Sequence, residues 1–161
     1  MTEVFLGLGS NLGNRKEQLE RACAEIELRV GPVVLRSDFI ETEPWGYDSP
    51  HPFLNAVVRC HTRLSPLQLL DTTQLIEWLL GKRDCHATQR SLQASVPTRY
   101  HDRPVDIDIL FYGLSVIDLP RLRVPHPLML QREFVMTPLR QVLSMPADGR
   151  YLALLGEEAA R

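Results

Sequence analysis

The chain has 161 residues, of which 44% are hydrophobic and 24% are charged, and its formal net charge is −2. A chain of this length buries about 70% of its unfolded surface, so it needs no disulfide or metal to form a core, and the composition excludes a disordered chain. The small acidic excess disfavours a protein that coats RNA or DNA, because such proteins carry a strong basic excess.

Apolar periodicity and turn residues predict the first elements of the chain. A strand covers residues 4–6 and breaks at Gly7-Leu8-Gly9 into a loop. Asn14, with Glu17 in capping-box position, then begins a helix that Gly31-Pro32 ends. A second strand follows at residues 33–40.

The middle of the chain predicts a loop at 42–52, an alternating strand at 54–61, and a helix that Ser65-Pro66 begins and Gly81 ends. Residues 82–104 show no sustained apolar periodicity. A structureless stretch longer than about 12–15 residues is uncommon and is usually functional or disordered.

The last third predicts a hydrophobic strand at 105–112, with residues 116–118 as its short hairpin partner, and a final helix at 134–143. The tail after Leu143 gives no functional signal. The order of elements predicts an α+β fold of the ferredoxin-like βαββαβ type: a mainly antiparallel sheet with helices packed on it, an added hairpin and a C-terminal helix. We expect one domain over residues 1–161.

The cysteines and the start of the chain predict the cellular setting. Cys23, Cys60 and Cys85 are far apart with no C-x-x-C spacing, which is typical of reduced thiols and predicts neither a disulfide framework nor a zinc site. The first residues run directly into a strand, so we expect no signal peptide, and no apolar run approaches the about 18 residues of a membrane span. We therefore expect a cytoplasmic protein with no membrane or nucleic-acid partner.

Asp106-Ile107-Asp108 places two carboxylates in a hydrophobic strand. Because side chains on a strand alternate, Asp106 and Asp108 share one face. Two neighbouring like charges are costly to bury unless a cation compensates, and Mg²⁺ typically takes one or two protein carboxylates with phosphate oxygens and water. The spacing indicates either a Mg²⁺ site or an exposed strand face near a sheet edge.

The stretch before these aspartates has a net charge of +3 in a chain of −2; its charged residues are Lys82, Arg83, Asp84, Arg90, Arg99, Asp102 and Arg103. A positive loop beside two carboxylates suits a nucleoside triphosphate, whose phosphates bind metal ions and arginines. A solvated charged loop is the alternative.

Two further segments are candidate binding residues. Prolines on both sides hold the backbone of His126, and Arg132 follows in the next turn, so the two could face the same phosphates. Phe53 and Phe134 could cover a flat heteroaromatic ring whose edge the amide of Asn55 reads. The alternatives are a structural or exposed histidine and two core phenylalanines.

The glycine-rich segment at residues 7–13 is a weak match to a nucleotide-binding loop. It fits neither the G-x-G-x-x-G pattern, because its last spacing is one residue too long, nor the P-loop, because no Gly-Lys-Ser/Thr follows. We expect it to form a tight turn before the first helix.

Taken together, the residues resemble the 6-hydroxymethyl-7,8-dihydropterin pyrophosphokinase family of the folate pathway. The matching stretches are GLGSNLGNR (7–15), TEPWG (42–46), FLNAV (53–57), QLIEWLLG (74–81), RPVDIDILFYG (103–113) and VPHPLMLQREFVMTPL (124–139). They occur in the family's order and span almost the whole chain. The resemblance implies transfer of the diphosphate of ATP to the pterin hydroxymethyl oxygen, with release of AMP.

The resemblance also implies site residues. Asp106 and Asp108 would hold two Mg²⁺ ions that bridge the triphosphate. The residues implied for ATP are Gln74, Glu77, Lys82, Arg103, Ile109, His126 and Arg132. The residues implied for the pterin are Thr42, Glu43, Trp45, Phe53, Asn55, Asp106 and Phe134. The residues implied as catalytic are Arg103, Asp106, Asp108 and His126, and whether Asp108 accepts the substrate proton stays open.

The departures from the family pattern lie in the basic loop. It is extended, and His101-Asp102 replaces the family's Gly-Pro, so the matches of Arg83 and Arg99 stay open. We expect this loop to close over ATP, as basic lids do when they exclude water. We also expect a monomer, with neighbouring enzymes of the folate pathway as further partners.

Two other functions compete with this one. A ferredoxin-like module that binds a small ligand or RNA is the first, although an RNA-binding sheet would want exposed aromatic residues and a basic face. A nucleotide-sugar transferase with its own D-x-D metal motif is the second, but the chain is short for the usual two-lobed architecture.

Overall fold

A computed structural model describes residues 1–43, 51–82 and 104–159. Within them, one antiparallel sheet contains the strands β1 (Thr2–Ser10), β2 (Val33–Arg36), β3 (Ile40–Thr42), β4 (Phe53–Thr62) and β5 (Asp106–Tyr112). A separate hairpin pairs β6 (Ile117–Asp118) with β7 (Arg123–Val124). The α-helices are α1 (Arg15–Arg29), α2 (Pro66–Glu77), α3 (Glu133–Val142) and α4 (Gly149–Ala159).

The order of the strands confirms the predicted α+β, ferredoxin-like class. The sheet runs β2-β4-β1-β5, with β3 also paired to β4, and every pair is antiparallel. The first and last strands of the βαββαβ unit, β1 and β5, are therefore neighbours although about a hundred residues separate them in the chain. None of the helices in the described ranges is long and apolar enough to cross a lipid bilayer.

Local sequence signals set the helix starts as predicted. The Asn14 Oδ1 accepts a hydrogen bond from the Glu17 backbone N at 3.2 Å and caps α1. Ser65 and Gln68 form a reciprocal capping box at the start of α2. The α2 helix continues as a π-helical turn over Trp78–Lys82, where Gly81 adopts a φ of 109° that favours glycine.

Helices cover both faces of the sheet, so the alternation of the strands builds two cores. On the face of α1 and α2, one core gathers Val4, Leu6, Ile26, Val58, Ile76 and Ile107. On the face of α3 and α4, the other gathers Phe5, Val57, Phe111, Met136, Leu139 and Tyr151. Adjacent residues of β1, such as Val4 and Phe5, belong to different cores.

Three predictions about the elements are wrong. Gly7-Leu8-Gly9 does not break the first strand, because β1 continues through Ser10 and pairs with β4 along its whole length. The strand predicted at 33–40 is interrupted at Ser37, whose Oγ accepts a hydrogen bond from the Val57 backbone N at 2.9 Å. Residues 116–118 do not pair with β5, because Ile117 and Asp118 pair with β7.

The prediction also missed α4, which a buried ionic network attaches to the sheet. Asp148, just before α4, accepts two hydrogen bonds from the Arg59 guanidinium at 2.9 and 3.0 Å. The Tyr151 hydroxyl donates to Glu3 Oε1 at 2.6 Å, and Arg59 Nε donates to Glu3 Oε2 at 2.9 Å. Burial raises the pKa of Glu3, but the hydrogen bonds from Tyr151 and Arg59 outweigh that effect and hold the pKa below its usual value.

This network makes a testable prediction about acid stability. We expect Glu3→Gln to lower the free energy of unfolding by about 2 kcal/mol at neutral pH, since hydrogen bonds to charged groups contribute about 1.5–3 kcal/mol. Because folding lowers the pKa of Glu3, its contribution is complete above the ordinary value of 4.5 and is lost as the pH falls through the folded-state pKa. Urea unfolding of both proteins at several pH values measures this difference.

The matched control is Glu25→Gln, which removes the partly exposed partner of Arg29 within α1. We expect that change to cost less than about 0.5 kcal/mol at any pH. A Glu3→Gln cost that stays constant down to pH 3 would contradict the assignment.

Candidate active site

Two glycines of the central strand form the floor of the site. Across the sheet, Gly9 pairs with Asn55 of β4 on one side and with Asp106 of β5 on the other. Gly7 lies between Val57 and Asp108 in the next row of the same face. A Cβ at Gly9 would approach Asn55 Oδ1 to 3.3 Å and Phe53 Cδ1 to 3.4 Å. A side chain at Gly9 would therefore crowd Asn55 and Phe53, and one at Gly7 would contact Leu110.

A cavity of about 320 Å³ opens above these glycines. It contains nine of the residues that the sequence predicts for the site: Thr42, Glu43, Phe53, Asn55, Asp106, Asp108, His126, Arg132 and Phe134. They come from β3, β4, β5, the segment after β7 and the start of α3. The fold thus brings the predicted phosphate-binding and ring-binding residues to one cavity.

The carboxylates of Asp106 and Asp108 share the cavity face of β5. Ile107 and Ile109 between and after them are buried in the core on the α1–α2 face, so the alternation predicted for the strand is confirmed. Arg132 is 7% exposed, and its Nη1 lies 3.8 Å from Asp108 Oδ2. A buried cation beside the two carboxylates offsets part of their mutual repulsion.

The backbone around His126 holds its imidazole in one orientation. The His126 backbone N donates to Leu110 O of β5 at 3.1 Å. The His126 Nδ1 accepts a hydrogen bond from the Leu128 backbone N at 3.3 Å. In the neutral ring the proton is then on Nε2, which makes Nε2 the donor of the imidazole.

The opposite end of the cavity is built around Asn55. This side chain is 4% exposed, and its Nδ2 donates to Thr42 Oγ1 at 2.7 Å and to Ile40 O at 3.4 Å. Phe53 lies on the same strand. Phe134 lies at the start of α3, where the Arg132 guanidinium is 5.7 Å from the centre of its ring.

Three residues predicted for ATP lie elsewhere. Ile109 is 5% exposed in the core on the α1–α2 face, and Glu77 of α2 accepts a hydrogen bond from the Ile107 backbone N at 3.3 Å on that same side. Gln74 is exposed one turn earlier on α2. None of the three lines this cavity, because α2 and α3 cover opposite faces of the sheet.

Some predictions lie outside the described residues. They are the predictions for Trp45, for Arg103, for the remaining residues of the basic loop from 83 to 102, and for the side chain of Lys82.

The structure adds residues that the sequence prediction missed. Arg123 of β7 lines the cavity, and its side chain is 63% exposed with Nε 3.1 Å from Asp118 Oδ1. Its place three residues before His126 was the available signal. Gly9 also lines the cavity, and its position two residues after Gly7 in a strand could have indicated a shared face.

The chemistry of these donors fits Mg²⁺. Among the described residues, no group of three or more His, Cys, Asp or Glu could hold a metal by itself. The two carboxylates on one wall match the way Mg²⁺ binds, with one or two protein carboxylates and the remaining positions filled by phosphate oxygens and water. An ion at this wall would therefore depend on a phosphate-bearing ligand.

Comparison with known proteins places the chain among pterin enzymes. The family model for 7,8-dihydro-6-hydroxymethylpterin-pyrophosphokinase (HPPK) matches residues 5–144. A Porphyromonas gingivalis protein named 2-amino-4-hydroxy-6-hydroxymethyldihydropteridine pyrophosphokinase is 48% identical over 143 residues, which are 88% of this chain and 91% of that protein. A Bacillus subtilis protein of the same name is 35% identical over 140 residues, or 86% of this chain and 77% of that protein.

A solved structure shares the fold at much lower identity. The crystal structure of an HPPK-DHPS chain in complex with substrates superposes with a TM-score of 0.64 at 15% identity, covering 88% of this chain and 40% of that chain. The sequence identities and the match to the family model lead to one conclusion: the chain belongs to the 7,8-dihydro-6-hydroxymethylpterin-pyrophosphokinase family.

Proposed function

We propose that the chain transfers the diphosphate group of ATP to the hydroxymethyl oxygen of 6-hydroxymethyl-7,8-dihydropterin in folate biosynthesis, as one domain and one monomer. The observation that carries the proposal is that Asp106 and Asp108 share one cavity with Asn55, Phe53 and Phe134. Charged groups suited to phosphates and groups suited to a flat polar ring therefore lie within reach of one bound pair of substrates.

The reaction needs no nucleophile from the protein. The pterin hydroxyl oxygen attacks the β-phosphorus of ATP, a new P–O bond forms, and the bond from that phosphorus to the oxygen bridging it to the α-phosphorus breaks. AMP leaves with the bridging oxygen, and the hydroxyl proton passes to a base or to solvent. Catalysis of this kind consists of positioning and charge stabilisation.

Arg132, His126 and Arg123 would bind the phosphates. Arg132 is held between Asp108 and the ring of Phe134, so its guanidinium needs little reorganisation when charge moves during transfer. The exposed Arg123 would follow the outer phosphates, and the Nε2 of His126 would donate to a phosphate oxygen. Arg103, Lys82, Gln74, Glu77 and Ile109 remain predictions for the nucleotide.

Asn55, Thr42 and Glu43 would recognise the edge of the pterin, and Trp45 remains a prediction for the same edge. Because Asn55 Nδ2 donates to Thr42 Oγ1 and Ile40 O, the Oδ1 of Asn55 would accept a hydrogen bond from an N–H group of the pteridine edge. Phe53 and Phe134 would contact the two faces of the ring. Such stacking would add affinity beyond what the buried area alone provides.

Asp106 and Asp108 would hold Mg²⁺, and the resemblance implies two ions. When bound, Mg²⁺ neutralises phosphate oxygens and so favours attack by the hydroxyl. The two carboxylates would orient the triphosphate through that contact, and Asp106 would also approach the pterin because it lies in the same row as Asn55.

The direct test of the function is product analysis. We expect ATP, Mg²⁺ and 6-hydroxymethyl-7,8-dihydropterin to give AMP and the pterin diphosphate in equal amounts when the protein is added, as measured by anion-exchange chromatography. Formation of ADP, or of AMP without dependence on the pterin, would refute the proposed reaction.

The carboxylate pair makes a second prediction. We expect Asp106→Asn and Asp108→Asn each to lower kcat by about a thousandfold, because each change removes a charge that orients the phosphates, while circular dichroism stays unchanged. The control is Asp71→Asn, which should leave kcat within twofold. Asp71 is an exposed residue of α2 whose carboxylate pairs with Arg121. Two active aspartate variants would show that the pair does not hold the metal.

The glycine floor makes a third prediction. Because a Cβ at Gly9 would meet Asn55 and Phe53 at 3.3–3.4 Å, we expect Gly9→Ala to raise the KM of the pterin by about tenfold, or about 1.4 kcal/mol of binding. The KM of ATP should change less than twofold. Gly156→Ala has no atom within 4 Å of its Cβ and is the control; an unchanged pterin KM in Gly9→Ala would exclude a pterin above Gly9.

A further inference from the structure

Arg15, the first residue of α1, joins the two chain segments that carry one wall of the cavity. Its Nη1 donates to Pro52 O at 2.9 Å, and its Nη2 donates to Glu41 Oε2 at 2.7 Å. Pro52 immediately precedes Phe53, and Glu41 immediately precedes Thr42, both of which line the cavity. The guanidinium therefore bridges β3 and the start of β4 at the end of their pairing.

A second contact from the same sequence motif supports this bridge. The Asn11 side chain, 2% exposed, donates from Nδ2 to His51 O at 3.2 Å. Asn11 and Arg15 thus bind consecutive residues, His51 and Pro52, just before β4. The motif at residues 7–15 therefore contacts the protein backbone through both of these side chains.

The wall needs such a contact because its own pairing is short. The β3 strand has three residues and pairs only with β4 in the described sheet, through Ile40↔Asn55, Glu41↔Leu54 and Thr42↔Phe53. Beyond Thr42 and Phe53 no further pair of this ladder exists among the described residues. Asn55 Nδ2 donates directly to Thr42 Oγ1 at 2.7 Å, and the two charge-assisted hydrogen bonds from Arg15 add to that bond and to the short ladder at the end where the pairing stops.

We propose that Arg15 is a positioning residue for the pterin: it fixes the spacing between β3 and β4 so that Thr42, Phe53 and Asn55 present one preformed surface. This inference rests on the proposed function, because it names which substrate the wall serves. It assigns no contact between Arg15 and either substrate. Losing the bridge leaves the phosphate end unchanged, since Asp106, His126 and Arg132 belong to other elements.

The test measures the dissociation constants of the two substrates separately. We expect Arg15→Ala to raise the Kd of 6-hydroxymethyl-7,8-dihydropterin by about tenfold, measured by calorimetry with a saturating non-hydrolysable ATP analogue. The Kd of the ATP analogue should change less than twofold. At saturation with both substrates, kcat should stay within about threefold of the wild type, because a positioning loss at this wall weakens binding more than chemistry.

The conservative variants separate the two hydrogen bonds. A lysine at this position offers one compact ammonium in place of the planar fork, so Arg15→Lys should restore part of the affinity and leave a loss of about threefold. Glu41→Gln should cost about twofold, since the pair is exposed, and it should add nothing to Arg15→Ala because the two side chains act as one contact.

The matched control is Arg29→Ala, which removes an arginine of the same helix that is paired with Glu25. It should leave both dissociation constants unchanged. An unaltered pterin Kd in Arg15→Ala overturns the inference, and so does an equal loss of affinity for both substrates that follows a loss of thermal stability. If the wild type forms no pterin diphosphate, the proposed function fails, whereas the binding measurements still decide the role of Arg15.

Discussion

The site depends on two missing side chains in the central strand. Gly7 and Gly9 face the α3 side of the sheet, where any larger residue would project into the cavity, and their neighbours Leu6 and Leu8 are buried in the opposite core. The register of β1 against β5 and β4 then brings Asp106 and Asn55 to the two sides of Gly9. One row of the sheet therefore carries a carboxylate, a glycine and an amide.

Helices pack against both faces of this sheet. An RNA-binding module of the ferredoxin-like type presents one sheet face to its ligand, but here α1 and α2 pack on one face and α3 and α4 on the other. Among the described residues, the cavity on the α3 face lies above the glycines. At the other end of that face, Phe5 packs edge-on against Tyr151 with ring centres 4.8 Å apart, and the network of Glu3, Arg59 and Asp148 attaches α4 there.

Much of the fold and part of the site could be predicted from local patterns. The capping residues Asn14 and Ser65 marked helix starts because side-chain oxygens satisfy backbone N–H groups wherever the chain places them. The shared face of Asp106 and Asp108 followed from strand alternation alone. The path of Gly7 to Gly9 could not be predicted in this way, because glycine suits a loop and a crowded strand equally well, and only the neighbouring Asn55 and Phe53 distinguish the two.

The difference between what the sequence determines and what the tertiary structure determines is clearest for contacts between residues far apart in the chain. Periodicity, caps and the spacing of the two aspartates are consequences of backbone geometry over a few residues, so the sequence alone was sufficient for the element types and for the carboxylate pair. Strand register and the placement of the helices decide which face of the sheet lines the cavity. They also explain why Glu77 and Ile109 lie outside the cavity while Arg123 lines it. The contact of Arg15 with Pro52, 37 positions away in the chain, has the same origin. Strand register and helix placement are set by the packing of the whole chain, because the interactions within one segment contribute too little free energy to fix which other segments it contacts.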